Sequence, residues 1–131
     1  MQTEYIALST MSILFLLAFF PVSVGKAQSF GWKWLGSNRK PIPGKELPEW
    51  AARCDRAHNN LKDNFPGFIA AVLLLGLTAK FDHSTAILCW LYVGARVMHY
   101  ASYGLGIVPL RALFYFTGLF SNLYLLIKVI V

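Results

Sequence analysis

Arg53–Phe68 reads RCDRAHNNLKDNFPGF and runs directly into the apolar stretch IAAVLLLGLTA. Within it Arg53, Arg56, Asn60 and Asp63 follow one another at steps of three, four and three. At ~100° per residue these four side chains share a stripe about 80° wide, so they face one partner or one pocket together. Two guanidiniums, an amide and a carboxylate are costly to hold at the edge of a membrane, and ionisable groups there mark a functional site by default.

The membrane setting follows from composition. Of 131 residues 56% are hydrophobic, 15% aromatic and only 14% charged, well below the charged share of a soluble domain. The length suits one unit, residues 1–131, and leaves no room for a second domain. Twelve Lys and Arg against six Asp and Glu give a net charge of +6. That charge lies beside apolar spans, where it sets orientation and draws anionic lipid or anionic ligands; no nucleic-acid partner follows from it. Cys54 and Cys89 lack the paired spacing of a zinc or dithiol site, and His58, His83 and His99 lie far apart. No metal is expected, and the cysteines read as small buried side chains.

Working outward from the stripe, membrane helices are expected at about residues 4–24, 49–79, 85–104 and 110–131, with a loop over 25–48. Glu4, and the lack of Lys or Arg before the first span, oppose a secretory leader, so a retained helix kinked or ended by Pro21 is expected. Three prolines and four glycines make residues 25–48 a connection, with Trp32 and Trp34 beside Lys33, Arg39 and Lys40 as headgroup-level anchors. Pro48 and Glu49 open the second span, and Pro66 should bend it.

Short turns make neighbouring helices antiparallel, so the long loop and the turn at Gly104–Gly106 share one side of the membrane. That side gathers Lys26, Lys33, Arg39, Lys40, Lys45, Arg53, Arg56, Lys62 and Arg111, against Lys80 and Lys128 opposite. The positive-inside rule then places it in the cytoplasm and both termini outside. The expected fold is an all-α integral membrane protein, an antiparallel four-helix transmembrane bundle.

The third span repeats the pattern of the second. Arg96, His99 and Tyr103 follow at steps of three and four, a stripe about 60° wide. Antiparallel packing brings Tyr103 near Arg53, and Arg111 at the start of the fourth span joins them. Such a cluster suits a ligand with several carboxylates and an ammonium group, since arginine forks grip carboxylates and Asp63 would take the ammonium. A lipophilic molecule would reach the same place from the bilayer.

Plainer readings stand beside each residue. Arg53 and Arg56 could snorkel, Asn60 could bond between helices, and Asp63 could pair with Arg56 or Lys62. Arg96 could form a buried pair with Asp63 or Asp55, while Tyr103 and Tyr115 could be belt or packing aromatics. Two helices carrying matching stripes weigh against coincidence.

The run from Arg53 to Phe68, together with RVMHYASYG (Arg96–Gly104) and PLRALFY (Pro109–Tyr115), resembles the MAPEG family, the membrane-associated proteins in eicosanoid and glutathione metabolism. That group includes microsomal glutathione transferases, leukotriene-conjugating synthases and microsomal prostaglandin E synthase. The resemblance implies a homotrimer of four-helix subunits, with glutathione as co-substrate between neighbouring subunits near the cytoplasmic face. It implies that Arg56, Asn60, Asp63, His99 and Tyr103 bind glutathione, with Lys26 reaching in from the adjacent subunit and His58 nearby. Arg53 and Arg96, from the stripes, complete the set. Arg111 matches an arginine that stabilises the glutathione thiolate, which would attack a lipophilic electrophile or reduce a lipid hydroperoxide.

Asp63 is one methylene shorter than the family's usual glutamate, and Asn64 stands where some members carry tyrosine. Ala112 stands where the prostaglandin synthase has serine, so prostaglandin isomerisation is not expected. The non-enzymatic alternative is a lipid-binding scaffold of the same fold, as in the five-lipoxygenase-activating protein. A small multidrug transporter would need an acid deep in a membrane helix, and Glu4 reads as lying at the rim. A bacterial inner membrane is the expected location, with the endoplasmic reticulum as the alternative.

Overall fold

The computed structural model describes residues 2–131. Among them every regular element is helical: α1 (Thr3–Leu17), α2 (Phe20–Phe30), α3 (Trp32–Leu35), α4 (Glu49–Leu77), α5 (His83–Leu105) and α6 (Val108–Ile130). Thr3–Phe30 and Val108–Ile130 are long and apolar enough to cross a membrane, since a crossing needs about 20 apolar residues. These two apolar helices fit a membrane helical protein. α5 packs against α1, α4 and α6, while α4 also meets α2 and α6.

The first span differs from its expected limits. A helix expected to stop near residue 24 pauses at Ala18–Phe19, resumes as α2 and runs to Phe30, and α3 occupies part of the expected loop. Pro21 lies in the first turn of α2, where a missing N–H is tolerated. The Ala18 carbonyl at the break instead accepts the Tyr100 hydroxyl of α5 at 2.7 Å. Gly25 is no turn residue: a Cβ there would collide with Cβ of Ala51, itself fully buried. Its lack of a side chain lets α2 lie close on α4. Beyond α3 the connection folds back on itself, with Trp34 Nε1 donating to the Lys40 carbonyl at 2.8 Å and Arg39 Nε to Leu35 at 3.0 Å.

The other three long helices start and stop within a few residues of expectation, and local chemistry explains why. α4 opens after Pro48 with Glu49 in its first turn and continues unbroken through Pro66. Asp82 caps α5 in a reciprocal box with Thr85, whose backbone N–H it accepts at 3.0 Å and whose Oγ1 accepts from its own N–H at 2.8 Å. Gly106, left-handed at φ 78°, ends α5, and Pro109 follows in the first turn of α6.

A single apolar cluster joins α1, α4, α5 and α6 through Met11, Phe65, Phe68, Leu75, Tyr92 and Leu125. Phe68 lies flat on Tyr92, with ring centroids 4.0 Å apart and planes 12° from parallel. Cys54 and Cys89 are buried free thiols. Away from the arginine stripes, polar ties close the structure. Glu4, expected at the rim, is only 3% exposed and accepts Thr85 Oγ1 at 2.5 Å. Lys80 donates to the Val129 carbonyl at 3.0 Å, and Lys128 pairs with Asp82.

Candidate functional site

The two polar stripes meet, but they do not meet whole. Arg53 and Asn60 lie on the edge of α4 that faces α5, and Asn64, one turn on, shares that edge. Arg53 Nε donates to the Gly104 carbonyl at 2.9 Å, and its Nη1 reaches Glu49 at 2.7 Å. This is the juxtaposition of the Arg53 and Tyr103 ends that antiparallel packing requires. It also means that Arg53 does not snorkel freely; it closes the C-terminus of α5, where a cation is favoured.

Arg56 and Asp63 stand on the outer edge of the stripe and are exposed. The ion pairs among the described residues are Arg53–Glu49 and Lys128–Asp82, so Asp63 pairs with neither Arg56 nor Lys62. The stripe is wide enough that its inner half packs on α5 while its outer half is left free.

Arg96 is 2% exposed, and its partners are not the carboxylates of Asp63 or Asp55. Nη2 donates to Asn64 Oδ1 at 3.1 Å and Nη1 to Asn60 Oδ1 at 3.5 Å. The guanidinium lies between two rings, 5.1 Å from the Tyr92 centroid and 5.6 Å from that of Tyr115. Space for it comes from α6, where a Cβ on Gly118 would come within 3.0 Å of Arg96 Nε. Amide dipoles and π faces thus take the place of a counterion, each cation–π contact contributing about 0.5–2 kcal/mol. Arg96 Nε itself has no hydrogen-bond partner.

From Arg96 the contacts continue toward the α5–α6 turn. Tyr115 lies 6.0 Å from His99, His99 lies 5.7 Å edge-on to Tyr103, and the Arg111 guanidinium sits 4.6 Å over the Tyr103 ring. Tyr92, Arg96, Tyr115, His99, Tyr103 and Arg111 form a continuous ladder in the α5–α6 groove. His99 is 4% exposed, while Tyr103 and Arg111 are half-buried at the open end. The arrangement is a strip of positive potential on aromatic walls with no carboxylate in it, and it can hold an anion or stabilise one as it forms.

Lys26 is not brought to this ladder within one chain. It follows Gly25, which meets Ala51; Asn60 lies nine residues further along α4, about half a turn around the helix axis. Lys26 therefore stands on the opposite side of α4, within α2 and not at its end.

The sequence reading missed Asn64, Tyr92 and Gly118 as parts of this constellation and treated Tyr115 as packing. A signal for two of them existed. Tyr92 extends the α5 stripe by one step of four, and Asn64 follows Asn60 by four. Gly118 had none, because only its neighbour across the helix interface explains it.

An apolar cleft of about 300 Å³ lies between α1 and α5, lined by Met11, Leu14, Leu17, Val97 and Tyr100 among others. It opens beside the α1–α2 break, and Arg96 of the ladder is among its lining residues.

No curated protein and no solved structure matches this chain. The sequence model of the MAPEG family does match, over residues 5–131. With two apolar helices of membrane-crossing length and the arginine stripes on α4 and α5, the match covers essentially the whole chain, and this membrane protein belongs to the MAPEG family.

Proposed function

We propose that this chain is a membrane-bound glutathione transferase or peroxidase, an antiparallel four-helix transmembrane bundle working as a homotrimer. The family includes glutathione transferases and related enzymes, and a role in glutathione or eicosanoid metabolism is the common ground of its members. The observation that carries the reading is Arg111 over Tyr103 at the mouth of a ladder that holds a second buried arginine and no carboxylate. Such a site favours an anion, and a thiolate is the anion this chemistry needs.

In this reading Arg56 and Asn60 take the carboxylates and peptide groups of glutathione, and Asp63 takes its ammonium. Both charged residues are exposed on the outer edge of α4, which suits a ligand wedged between subunits. The partner subunit's Lys26 would complete the cage, since within one chain Lys26 faces away. His99 and Tyr103 line the wall. Arg111, held in place by the Tyr103 face, approaches the sulfur and lowers the thiol pKa, raising the thiolate fraction at neutral pH.

The thiolate then forms a carbon–sulfur bond to an electrophile and expels its leaving group, or opens a strained or conjugated acceptor. With a lipid hydroperoxide it attacks the terminal oxygen, the O–O bond breaks, and the alkoxide leaves as the alcohol after taking a proton. The resulting glutathione sulfenic acid condenses with a second glutathione to give the disulfide and water. The apolar cleft between α1 and α5 suits the lipophilic partner.

The charge asymmetry of the loops supports a cytoplasmic face for the glutathione end; a bacterial inner membrane is the proposed setting, with the endoplasmic reticulum as the alternative.

Calorimetric titration of glutathione into the detergent-purified protein tests this, run beside Arg56→Ala and Asn60→Ala. Saturable binding that both variants lose is the expected result. No heat and no thermal shift at millimolar glutathione would overturn it and favour a lipid-binding scaffold, to which the same apolar cleft is suited.

A further inference from the structure

Asn60 and Asn64 are two amides one turn apart on α4, and Arg96 faces both. Asn64 has its orientation fixed from two directions: its Oδ1 accepts from Arg96 at 3.1 Å, while its Nδ2 donates to the Asn60 carbonyl at 2.8 Å. Reversing that amide would place an NH2 against a guanidinium and an oxygen against a carbonyl. Two donors then converge on Asn60 Oδ1, the Arg96 Nη1 and the Asn64 Nδ2, each at 3.5 Å. These contacts are long, but both present hydrogen to the same oxygen, so the sign of the field there is fixed. Asn60 Oδ1 thus faces Arg96 and Asn64, which leaves its Nδ2 free of both.

We propose that Arg96 and Asn64 are positioning residues that lock the Asn60 side chain with its NH2 outward, making Asn60 a hydrogen-bond donor to an anionic or carbonyl group of the ligand. The inference rests on the glutathione reading for the ligand's identity, and it deepens that reading. Arg96 does not touch the ligand; it acts through Asn60. The Tyr92 and Tyr115 faces hold Arg96 on its other sides, and the close packing at Gly118 restricts its withdrawal toward α6. A lysine at 96 could not face both amides and both rings at once, because its charge is a point on a flexible stem.

The deciding variant is Asn60→Asp, which has the same shape but two acceptors and no donor. One oxygen keeps its place against Arg96, now as an ion pair, and the other points outward, where it repels an anion. Compared with Asn60→Leu and Asn64→Leu, in full-length detergent-purified protein, two readouts separate the roles: thermal midpoint without ligand, and glutathione affinity by calorimetry. Asn60→Asp is expected to melt at or above the wild-type temperature while glutathione binding weakens about tenfold or more, the cost of a charged contact turned repulsive. Asn64→Leu should lower both stability and affinity, and Asn64→Asp, which still accepts from Arg96 but turns a carboxylate oxygen toward the Asn60 carbonyl and Oδ1, should also weaken glutathione binding because it draws the Asn60 NH2 inward. If Asn60→Asp binds glutathione as well as wild type or better, the outward atom is the oxygen and the proposal is overturned. Should the wild-type protein bind no glutathione, the ligand assignment fails separately and the thermal arm still decides the orientation. Asn60→Asp stable while Asn60→Leu is destabilised supports the lock, and equal loss in both overturns it.

Discussion

The guanidinium carbon of Arg111 lies 4.6 Å from the centroid of the Tyr103 ring. The ring does two things for it: the negative π face holds the cation, and the aromatic wall keeps water from surrounding it. If Arg111 stabilises the thiolate, Arg111→Gln should lower kcat about 10²–10³-fold, the usual effect of removing one preorganised donor. The dissociation constant for glutathione should change little, because the thiol end contributes little to ground-state binding. Tyr103→Phe keeps the π face and should retain most activity; Tyr103→Leu should not. Steady-state kinetics with a chromogenic electrophile, paired with the ultraviolet absorbance of bound thiolate, measure both. An Arg111→Gln enzyme with unaltered thiolate absorbance would remove Arg111 from the chemistry.

Gly118 makes room for Arg96. A methyl group there would sit 3.0 Å from Nε and 3.2 Å from Cζ of the guanidinium, tighter than ordinary van der Waals contact, so the guanidinium, held on its other sides by Asn60, Asn64 and two rings, would have to give way. Gly118→Ala should therefore destabilise the protein by about 1–3 kcal/mol, as overpacking usually does, despite alanine's better helix propensity. Thermal denaturation in detergent measures it. A midpoint unchanged or raised in Gly118→Ala would mean that Arg96 has space to move and that the ladder is loose at that rung.

Asp82 carries the acid dependence of the opposite end. Hydrogen bonds from Lys128, then Ser84 and the Thr85 backbone, hold its carboxyl well below the usual aspartate value of 3.8. A depressed folded-state pKa contributes stability that is present above the unfolded pKa and is lost as pH falls through the folded one. The midpoint should thus decline progressively below about pH 4 through this group. Asp82→Asn should be less stable at neutral pH and flatter across that acid window. Identical acid profiles for the two proteins would show that the Lys128 contact does not bear on folding.

The sequence disclosed those features that a single helix carries. The stripes on α4 and α5, the caps at Pro48 and Gly106, and the meeting of Arg53 with the Tyr103 end were all legible, because period and capping chemistry are local. Partners across helices were not. Arg96 was expected to seek Asp63 or Asp55, since charge seeks charge, yet Asn60, Asn64, Tyr92 and Tyr115 surround it. Which edge of an 80°-wide stripe packs inward depends on where α5 lies, and no residue on α4 encodes that by itself. Gly25 misled in the same way: a glycine in a run of glycines and prolines signals a turn, and here the signal came from Ala51 on another helix.

Tyr100 ties α5 to the place where the first membrane span breaks. Its hydroxyl donates to the Ala18 carbonyl at 2.7 Å, and Pro21, lacking an N–H, leaves the Leu17 carbonyl without its usual helical donor. Tyr100→Phe would leave the Ala18 carbonyl without that donor in an apolar setting, a loss of about 0.6–2 kcal/mol for an interhelical hydrogen bond in a membrane. Pro21→Ala supplies the missing N–H and favours a straight helix through the break, which weakens the need for Tyr100. The double variant should then be less destabilised than the sum of the two singles, a coupling readable from thermal midpoints in a double-mutant cycle. Strict additivity would mean that the break is set elsewhere, and that the cleft between α1 and α5 does not depend on this bond for its shape.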